Sequence, residues 1–274
     1  MISNKDKLKI PFTKGHANGN DFIFIFKKDI NKKHITQKLI TNICDRHTGV
    51  GADGLFIISE SKKEDFLLDY YNADGSWETL CANGSRCAVL LMKENKKIKN
   101  SCSFITGAGT HSASILKNNL IKMSMQTPIY KSQLISPEGQ DGYFVDSGAK
   151  HFVCHYPKIN NTKALKIGKK IRHSKIFAPN GVNVNFFNMK NENEINILTY
   201  EKGVESIMRS CASGSTAVVF HLAQTMHLKK KVTTFSPGGS LQFSFNNNWS
   251  SVHIVGSAQL ICFGNFFADK NCFS

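Results

Sequence analysis

Two cysteines in this chain stand in matched surroundings. Cys81 lies in Leu80-Cys81-Ala82-Asn83-Gly84-Ser85 and Cys211 in Ser210-Cys211-Ala212-Ser213-Gly214-Ser215, so both read Cys-Ala-x-Gly-Ser. A small and apolar run of helical character follows each, Cys87-Ala88-Val89-Leu90-Leu91-Met92 and Thr216-Ala217-Val218-Val219-Phe220. A thiol beside a Gly-containing turn that opens a helix meets unpaired backbone N–H groups and the positive end of the helix dipole. Such a thiol ionises more readily than an ordinary one, often with a pKa of roughly 3.5–7.5. Two of them predict a site in which one sulfur removes a proton and the other returns one.

The elements that must hold these thiols repeat as well. The two motifs lie close to half a chain length apart. A second Gly-rich turn follows each at nearly the same offset: Thr106-Gly107-Ala108-Gly109 after the first and Pro237-Gly238-Gly239-Ser240 after the second. A repeated spacing of this kind predicts two related halves. Short β-rich runs surround each motif: 22–26, 54–58 and 66–71 in the first half, 151–154, 182–187, 195–200 and 241–245 in the second. The clearest helices are expected near 35–46, 84–95 and 214–228. The fold class expected is α+β, each half a strand-rich layer around a central helix whose N-terminus carries the cysteine. The crossing between halves is placed at the strand Met123-Ser124-Met125-Gln126-Thr127, before Pro128.

Bulk properties exclude several function classes. A hydrophobic fraction of 41% supports real cores, and 20% charged residues is ordinary for a globular protein. No apolar run approaches the ~18 residues needed to span a bilayer, and Met1–Lys7 lacks the apolar core of a signal peptide. A soluble, cytoplasmic protein is expected, without membrane association. The eight cysteines, lacking any Cys-x-x-Cys pair, are expected as thiols, and the ten histidines fall into no metal-ligand spacing. No metal is expected. The six cysteines outside the motifs, Cys44, Cys87, Cys102, Cys154, Cys262 and Cys272, are read as inert buried residues. The net charge of +15 is spread over short lysine groups and not gathered into an aromatic-interleaved stripe, so no nucleic-acid partner is expected.

The motifs in order resemble the diaminopimelate epimerase family, nearly end to end. His16-Ala17-Asn18-Gly19-Asn20-Asp21-Phe22 is similar to the family's HGxGNDF. Arg46-His47-Thr48-Gly49-Val50-Gly51-Ala52-Asp53-Gly54-Leu55 resembles its R-x-x-GIGADGL segment. Tyr71-Asn72-Ala73-Asp74-Gly75-Ser76 with Cys81-Ala82-Asn83-Gly84-Ser85-Arg86-Cys87 resembles FNADGS…CGNGxRC. Ser147-Gly148-Ala149-Lys150-His151-Phe152-Val153 resembles TGxPHxV, Asn183-Val184-Asn185-Phe186 matches NVNF, Glu201-Lys202-Gly203 resembles ERG, and Cys211-Ala212-Ser213-Gly214 resembles CGTG.

The resemblance implies a diaminopimelate epimerase-like fold of two pseudo-symmetric halves. Residues 1–126, joined by a C-terminal strand over 258–274, would form the first and 127–257 the second. It implies a cofactor-independent isomerase that interconverts LL- and meso-diaminopimelate, a small-molecule amino acid, for lysine and peptidoglycan synthesis. Cys81 and Cys211 would be the catalytic pair, tuned by His151 and Glu201. Backbone N–H groups of Ala82, Asn83, Ala212 and Ser213 would hold the α-carboxylate, as an oxyanion hole does. Asn20, Asn72, Asn183, Glu201 and Lys202 would contact the distal amino-carboxylate end of the substrate. A homodimer is compatible with the resemblance, although Cys262 stands where some members have an aromatic at the dimer contact.

Several positions depart from the family pattern. Ala follows each cysteine where the family has Gly, and Ala tolerates positive φ poorly. Ala149-Lys150 replaces the pair before His151, Ile207-Met208 replaces Glu-Thr, and Lys202 replaces an Arg that would grip a carboxylate with two parallel bonds. The alternatives are therefore a racemase or epimerase of another amino acid on the same fold, or a non-catalytic binding relative. A thiol hydrolase needs one Cys–His pair and does not account for two matched cysteine motifs.

Overall fold

The structure is a computed structural model that describes residues 7–158, 160–226 and 228–269. The chain divides into two compact units. One holds the described residues up to Ile121 together with those from Ser257 onward; the other is Lys122–Gly256.

In the first unit the order is β1 (Lys7–Ala17), β2 (Asn20–Phe26), α1 (Gln37–Cys44), β3 (Gly54–Ser59), β4 (Phe66–Asn72), β5 (Trp77–Glu78), α2 (Ala82–Glu94), β6 (Ser101–Thr106) and β7 (Gly109–Ile115). β8 (Leu120–Met125) carries the chain into the second unit. There follow β9 (Ile129–Tyr130), β10 (Tyr143–Asp146), β11 (Lys150–His155), α3 (Asn161–Arg172), β12 (Asn183–Asn191), β13 (Glu194–Glu201), β14 (Ser206–Ile207), α4 (Ala212–Thr225), β15 (Lys231–Ser236), β16 (Gly239–Phe245) and β17 (Val252–Ser257). The last strand, β18 (Gln259–Asp269), returns to the first unit and pairs antiparallel with β1, from Lys7↔Asp269 to His16↔Gln259.

The two units repeat one topology. In the first, α1 is the crossover between parallel β2 and β3, and α2 the crossover between parallel β4 and β6. In the second, α3 joins parallel β11 and β12, and α4 joins parallel β13 and β15. The intervening pairs β3–β4 and β6–β7, like β12–β13 and β15–β16, are antiparallel.

Strand alternation decides what each sheet shows to its two helices. Ile23, Ile25, Leu55 and Ile57 cluster with Leu39, Ile40 and Ile43 of α1. Phe22, Phe24, Phe56 and Tyr70 point the other way and pack ring on ring, with centroids 4.7–6.5 Å apart. On that face lies α2, which is buried from Ala82 through Met92. A helix apolar or small all round is one enclosed on all sides. Gly84 is the point of closest approach: a Cβ there would stand 2.0 Å from the Phe56 ring. In the second unit Phe152, Val184, Phe186 and Tyr200 cluster with Ala164 and Ile171 of α3. The opposite face, carrying His151, Asn185 and Thr199, is turned to α4. Here Gly214 makes the close approach, since a Cβ would stand 2.1 Å from Asn185 Oδ1. The Gly of Cys-Ala-x-Gly is thus set by helix-to-sheet contact in both units.

Helix α3 has no counterpart among the helices expected from the sequence. Its exposed surface is lysine-rich, and only Ala164, Gly168 and Ile171 are buried, so its apolar stripe is thin. The expected helices near 84 and 214 begin two residues earlier, with Cys81 and Cys211 as their N-caps.

Candidate active site

Each unit places its cysteine identically with respect to its helix. Cys81 is the N-cap of α2 with extended backbone (φ −128°, ψ 105°), and Cys211 the N-cap of α4 (φ −132°, ψ 107°). Both are partly exposed. Ala82 and Ala212 are the first helical residues and have no positive φ, so Ala in place of Gly needs no altered turn. The first intrahelical bonds run from Ser85 N to Cys81 O (2.9 Å) and from Ser215 N to Cys211 O (3.0 Å). The preceding amides of each first turn have no intrahelical acceptor, the arrangement that receives an anion.

The three motifs of the first half bond one another, and Asn20 links them to the first turn of α2 that Cys81 caps. Arg46 grips Asp21 with two bonds (3.1 and 2.7 Å) and Asp53 with a third (2.7 Å). Lys14 pairs with Asp21 at 3.1 Å. Burial pushes the Asp21 carboxyl up, but Arg46 and Lys14 outweigh it and hold the pKa below the ordinary carboxylate value. Asn20 donates to Asp53 at 2.6 Å and accepts from Asn83 at 3.1 Å. Asn83 in turn accepts from Arg86 at 2.9 Å. Asn20 and Asn83 are both buried, their amides joined to this network. Asn72, the last residue of β4, accepts from the Tyr70 hydroxyl (2.7 Å) and donates to Ser76 (3.1 Å).

Around Cys211 a buried relay ends at the sulfur. Thr199 donates to Asn185 Oδ1 (2.9 Å), which leaves the Asn185 amide nitrogen to donate to His151 Nδ1 (2.9 Å). His151 therefore carries its proton on Nε2 and donates to Ser213 Oγ (3.0 Å). Ser213 Oγ lies 3.5 Å from Cys211 Sγ, with its own proton available to the sulfur. His151 is fully buried, which pushes its pKa down to about 3 and keeps the ring neutral. Glu201, the last residue of β13, acts in the opposite direction. Desolvation, then the Glu201 charge, raise the Cys211 pKa well above the ordinary thiol value; Ser213 and the Gly214 amide offset this only in part, and the thiol donates to Glu201. At Cys211 the helix end that favours a thiolate is therefore opposed by desolvation and by the neighbouring Glu201 carboxylate.

Asn183 is buried, and its side chain accepts the Lys202 backbone N–H at 2.8 Å. The Lys202 side chain is exposed. Its turn is pinned by Glu205, which accepts from Gly203 N (3.1 Å), the Tyr200 hydroxyl (2.9 Å) and Arg172 Nε (3.2 Å). Sequence reasoning missed Asn185 and Thr199. Asn185 was visible as the second Asn of NVNF, but only the parity of β12 shows that it shares the α4 face with His151.

Among the cysteines read as inert, Cys44, Cys87, Cys102 and Cys154 are buried. Burial pushes the first three thiols up to about 12, and Cys154 higher still. Cys262 is instead exposed, at the irregularity of β18 where its register against β1 shifts between Lys14↔Cys262 and Gly15↔Leu260. Cys272 lies outside the described residues. Among the described residues there is no disulfide, no helix long and apolar enough to cross a membrane, and no group of three or more His, Cys, Asp or Glu side chains that could hold a metal.

The comparisons with known proteins agree on a family. The family model described as Diaminopimelate epimerase matches residues 12–131 and 143–261. The chain is 34% identical to the diaminopimelate epimerase of Flavobacterium psychrophilum over 90% of its length and 96% of that protein. It is 32% identical to that of Aquifex aeolicus over 90% of its length and 94% of that protein. Among solved structures, a hydroxyproline epimerase from Agrobacterium vitis superposes with a TM-score of 0.78 at 13% identity, covering 96% of this chain and 94% of that one, a likeness of fold. The near end-to-end match of motifs, the repeated two-unit topology and relatives at this identity lead to one conclusion: the chain belongs to the diaminopimelate epimerase family.

Proposed function

We propose that this protein interconverts LL- and meso-diaminopimelate, with Cys81 and Cys211 as the proton-transferring pair. The observation that carries the reading is the matched placement of two cysteines as N-caps of equivalent helices in a family of this activity. A base and an acid on opposite faces of one carbon invert it. One thiolate takes the Cα proton and becomes a thiol. The electron pair left on carbon delocalises into the α-carboxylate, held by first-turn amides of Ala82, Asn83, Ala212 and Ser213. The second thiol gives its proton to the opposite face and is left as thiolate, so charge is conserved over the turnover. No external cofactor enters this scheme.

At the distal end, Lys202 and Asn72 would meet the second carboxylate and Glu201 the second ammonium, with Asn183 fixing the Lys202 backbone and Asn20 holding Asn83 in place. The two units would act as pseudo-symmetric halves, 1–126 with 258–274 and 127–257, each contributing one thiol. A cytoplasmic setting accords with the chemistry of amino-acid synthesis and with cysteines kept as thiols.

The test is a substrate panel. Purified protein is incubated with LL-diaminopimelate, meso-diaminopimelate and amino acids lacking a distal carboxylate, and the stereoisomers are separated. Turnover confined to, or strongest with, diaminopimelate supports the reading. Preferred turnover of a monocarboxylate amino acid would replace it with a racemase, and no turnover of any would favour a binding protein.

A further inference from the structure

Arg86 is one of the largest side chains in the protein with no exposed surface. It follows Cys81 by five residues on α2, and its guanidinium folds back onto the first turn of that helix. Nη1 donates to Ala82 O (3.2 Å), and Nη2 donates to Asn18 Oδ1 (3.0 Å) and Asn83 Oδ1 (2.9 Å). Nε has no hydrogen-bond partner. Every acceptor is neutral, and no ion pair joins Arg86 to a carboxylate among the described residues.

A buried guanidinium without an anion is costly, and its removal from water is tolerated only where something compensates it. Desolvation lowers its pKa to about 10, so it remains a cation at neutral pH. The groups whose ionisation would compensate it are the thiols of Cys87 and Cys81. Cys87 is fully enclosed and its pKa is pushed up to about 12, so it stays protonated. Cys81 is the one of the two with access to solvent.

The other charged and titratable groups on the elements packed against α2 are engaged elsewhere or exposed. On β1 and β2, Lys14 and Asp21 pair with each other and Asp21 with Arg46. His16 bonds Gln259 of β18 at 3.1 Å. His111 of β7 bonds Thr106 at 3.1 Å. At the far end of the β1–β18 ladder Lys7 pairs with Asp269; Lys9 of β1 is exposed, as is Cys262 of β18.

The second unit supplies the contrast. The residue five positions after Cys211 is Thr216, which bonds the same carbonyl of its helix, Ala212 O, at 2.8 Å but carries no charge. Where β4 ends in the neutral Asn72, β13 ends in Glu201. One helix therefore holds a buried cation against the first turn that its cysteine caps, and the other cysteine has a carboxylate for a neighbour. We infer that Arg86 is the positioning residue that supplies the counter-charge of a Cys81 thiolate, making Cys81 the sulfur that is ionised in the resting protein. The inference deepens the proposed two-thiol site and rests on that reading, but it concerns the unliganded protein and holds whatever amino acid is turned over.

The test measures the rate of iodoacetamide alkylation at each cysteine against pH, by peptide mass spectrometry of the whole protein, in wild type and in Arg86→Met, Arg86→Gln and Arg86→Lys. In wild type, Cys81 should titrate below an ordinary thiol (about 8.5) and below Cys211. Loss of the charge in Arg86→Met or Arg86→Gln should raise the Cys81 midpoint by about one pH unit or more, a tenfold loss of thiolate at neutral pH. Arg86→Lys should restore most of it, and the Cys211 midpoint should not move. A purely structural role would disturb Lys and Gln variants alike and leave the Cys81 midpoint in place. That result, or a wild-type Cys81 midpoint at or above the ordinary value, would overturn the inference. If neither neutral variant folds, the wild-type midpoint decides. Failure to epimerise diaminopimelate would leave this titration unaffected, so the two readings fail separately.

Discussion

Ser213→Ala cuts the relay that ends at Cys211, and its consequence can be worked from two distances. Ser213 Oγ lies 3.5 Å from Cys211 Sγ and 3.0 Å from His151 Nε2. A hydrogen bond to a charged group contributes about 1.5–3 kcal/mol, and the long sulfur contact takes the lower end. One pKa unit corresponds to about 1.36 kcal/mol, so the Cys211 thiol, already raised by burial and Glu201, should rise by about one unit more. The same change leaves the Nε2–H of a fully buried, neutral His151 without its acceptor, a penalty of about 1–3 kcal/mol in stability. Glu201→Gln has the opposite sign at the sulfur. It removes the neighbouring charge and should lower the Cys211 midpoint. The assay is the pH dependence of alkylation at Cys211 in the two variants, with urea unfolding alongside. Midpoints that move in the same direction in both, or a Ser213→Ala protein as stable as wild type, would refute the relay.

Three further outcomes follow from the same geometry. Asp21 has a folded pKa below its unfolded value of about 3.9, so its contribution to stability is complete above that value and is lost as pH falls through the folded pKa. Asp21→Asn should lower stability at neutral pH and flatten the acid limb below about pH 4, and a parallel acid limb in urea titrations would contradict this. Gly84→Ala would place a Cβ 2.0 Å from the Phe56 ring, and such overpacking should cost about 1–3 kcal/mol. An unchanged urea midpoint would show that α2 is not held so closely. Lys202→Ala should cost about 1.5–3 kcal/mol in kcat/KM for diaminopimelate, with little effect on amino acids lacking the distal carboxylate. Lys202→Arg should be tolerated, and equal losses on both substrate types would remove Lys202 from the distal site.

Much of the fold was legible because the motifs are ordered and doubled. The runs at 22–26 and 54–58 became β2 and β3, buried strands that read as continuous apolar stretches, and 66–71 became β4, whose burial alternates. What escaped lacked a local signal. α3 buries only Ala164, Gly168 and Ile171 beneath a lysine-covered face. The helix starts were read two residues late because Ala-Asn-Gly-Ser and Ala-Ser-Gly-Ser have weak helical preference in isolation, and tertiary enclosure supplies the difference. At the site, residue types were legible but their electrostatics were not. The sequence shows both thiols at equivalent helix ends. That Glu201 tunes the pair was implied by the resemblance alone, and no sequence pattern shows which thiol it faces or that the cation of Arg86 has no carboxylate partner among the described residues.

The central claim, two thiols acting on opposite faces of one carbon, is tested most directly by proton exchange in D2O. LL- and meso-diaminopimelate are incubated separately with wild type, Cys81→Ala and Cys211→Ala, and deuterium at Cα is read together with configuration. The account predicts that wild type places deuterium in the product of inverted configuration, and that neither single variant inverts Cα from either substrate. Epimerisation at an appreciable rate by a variant lacking either sulfur would contradict it.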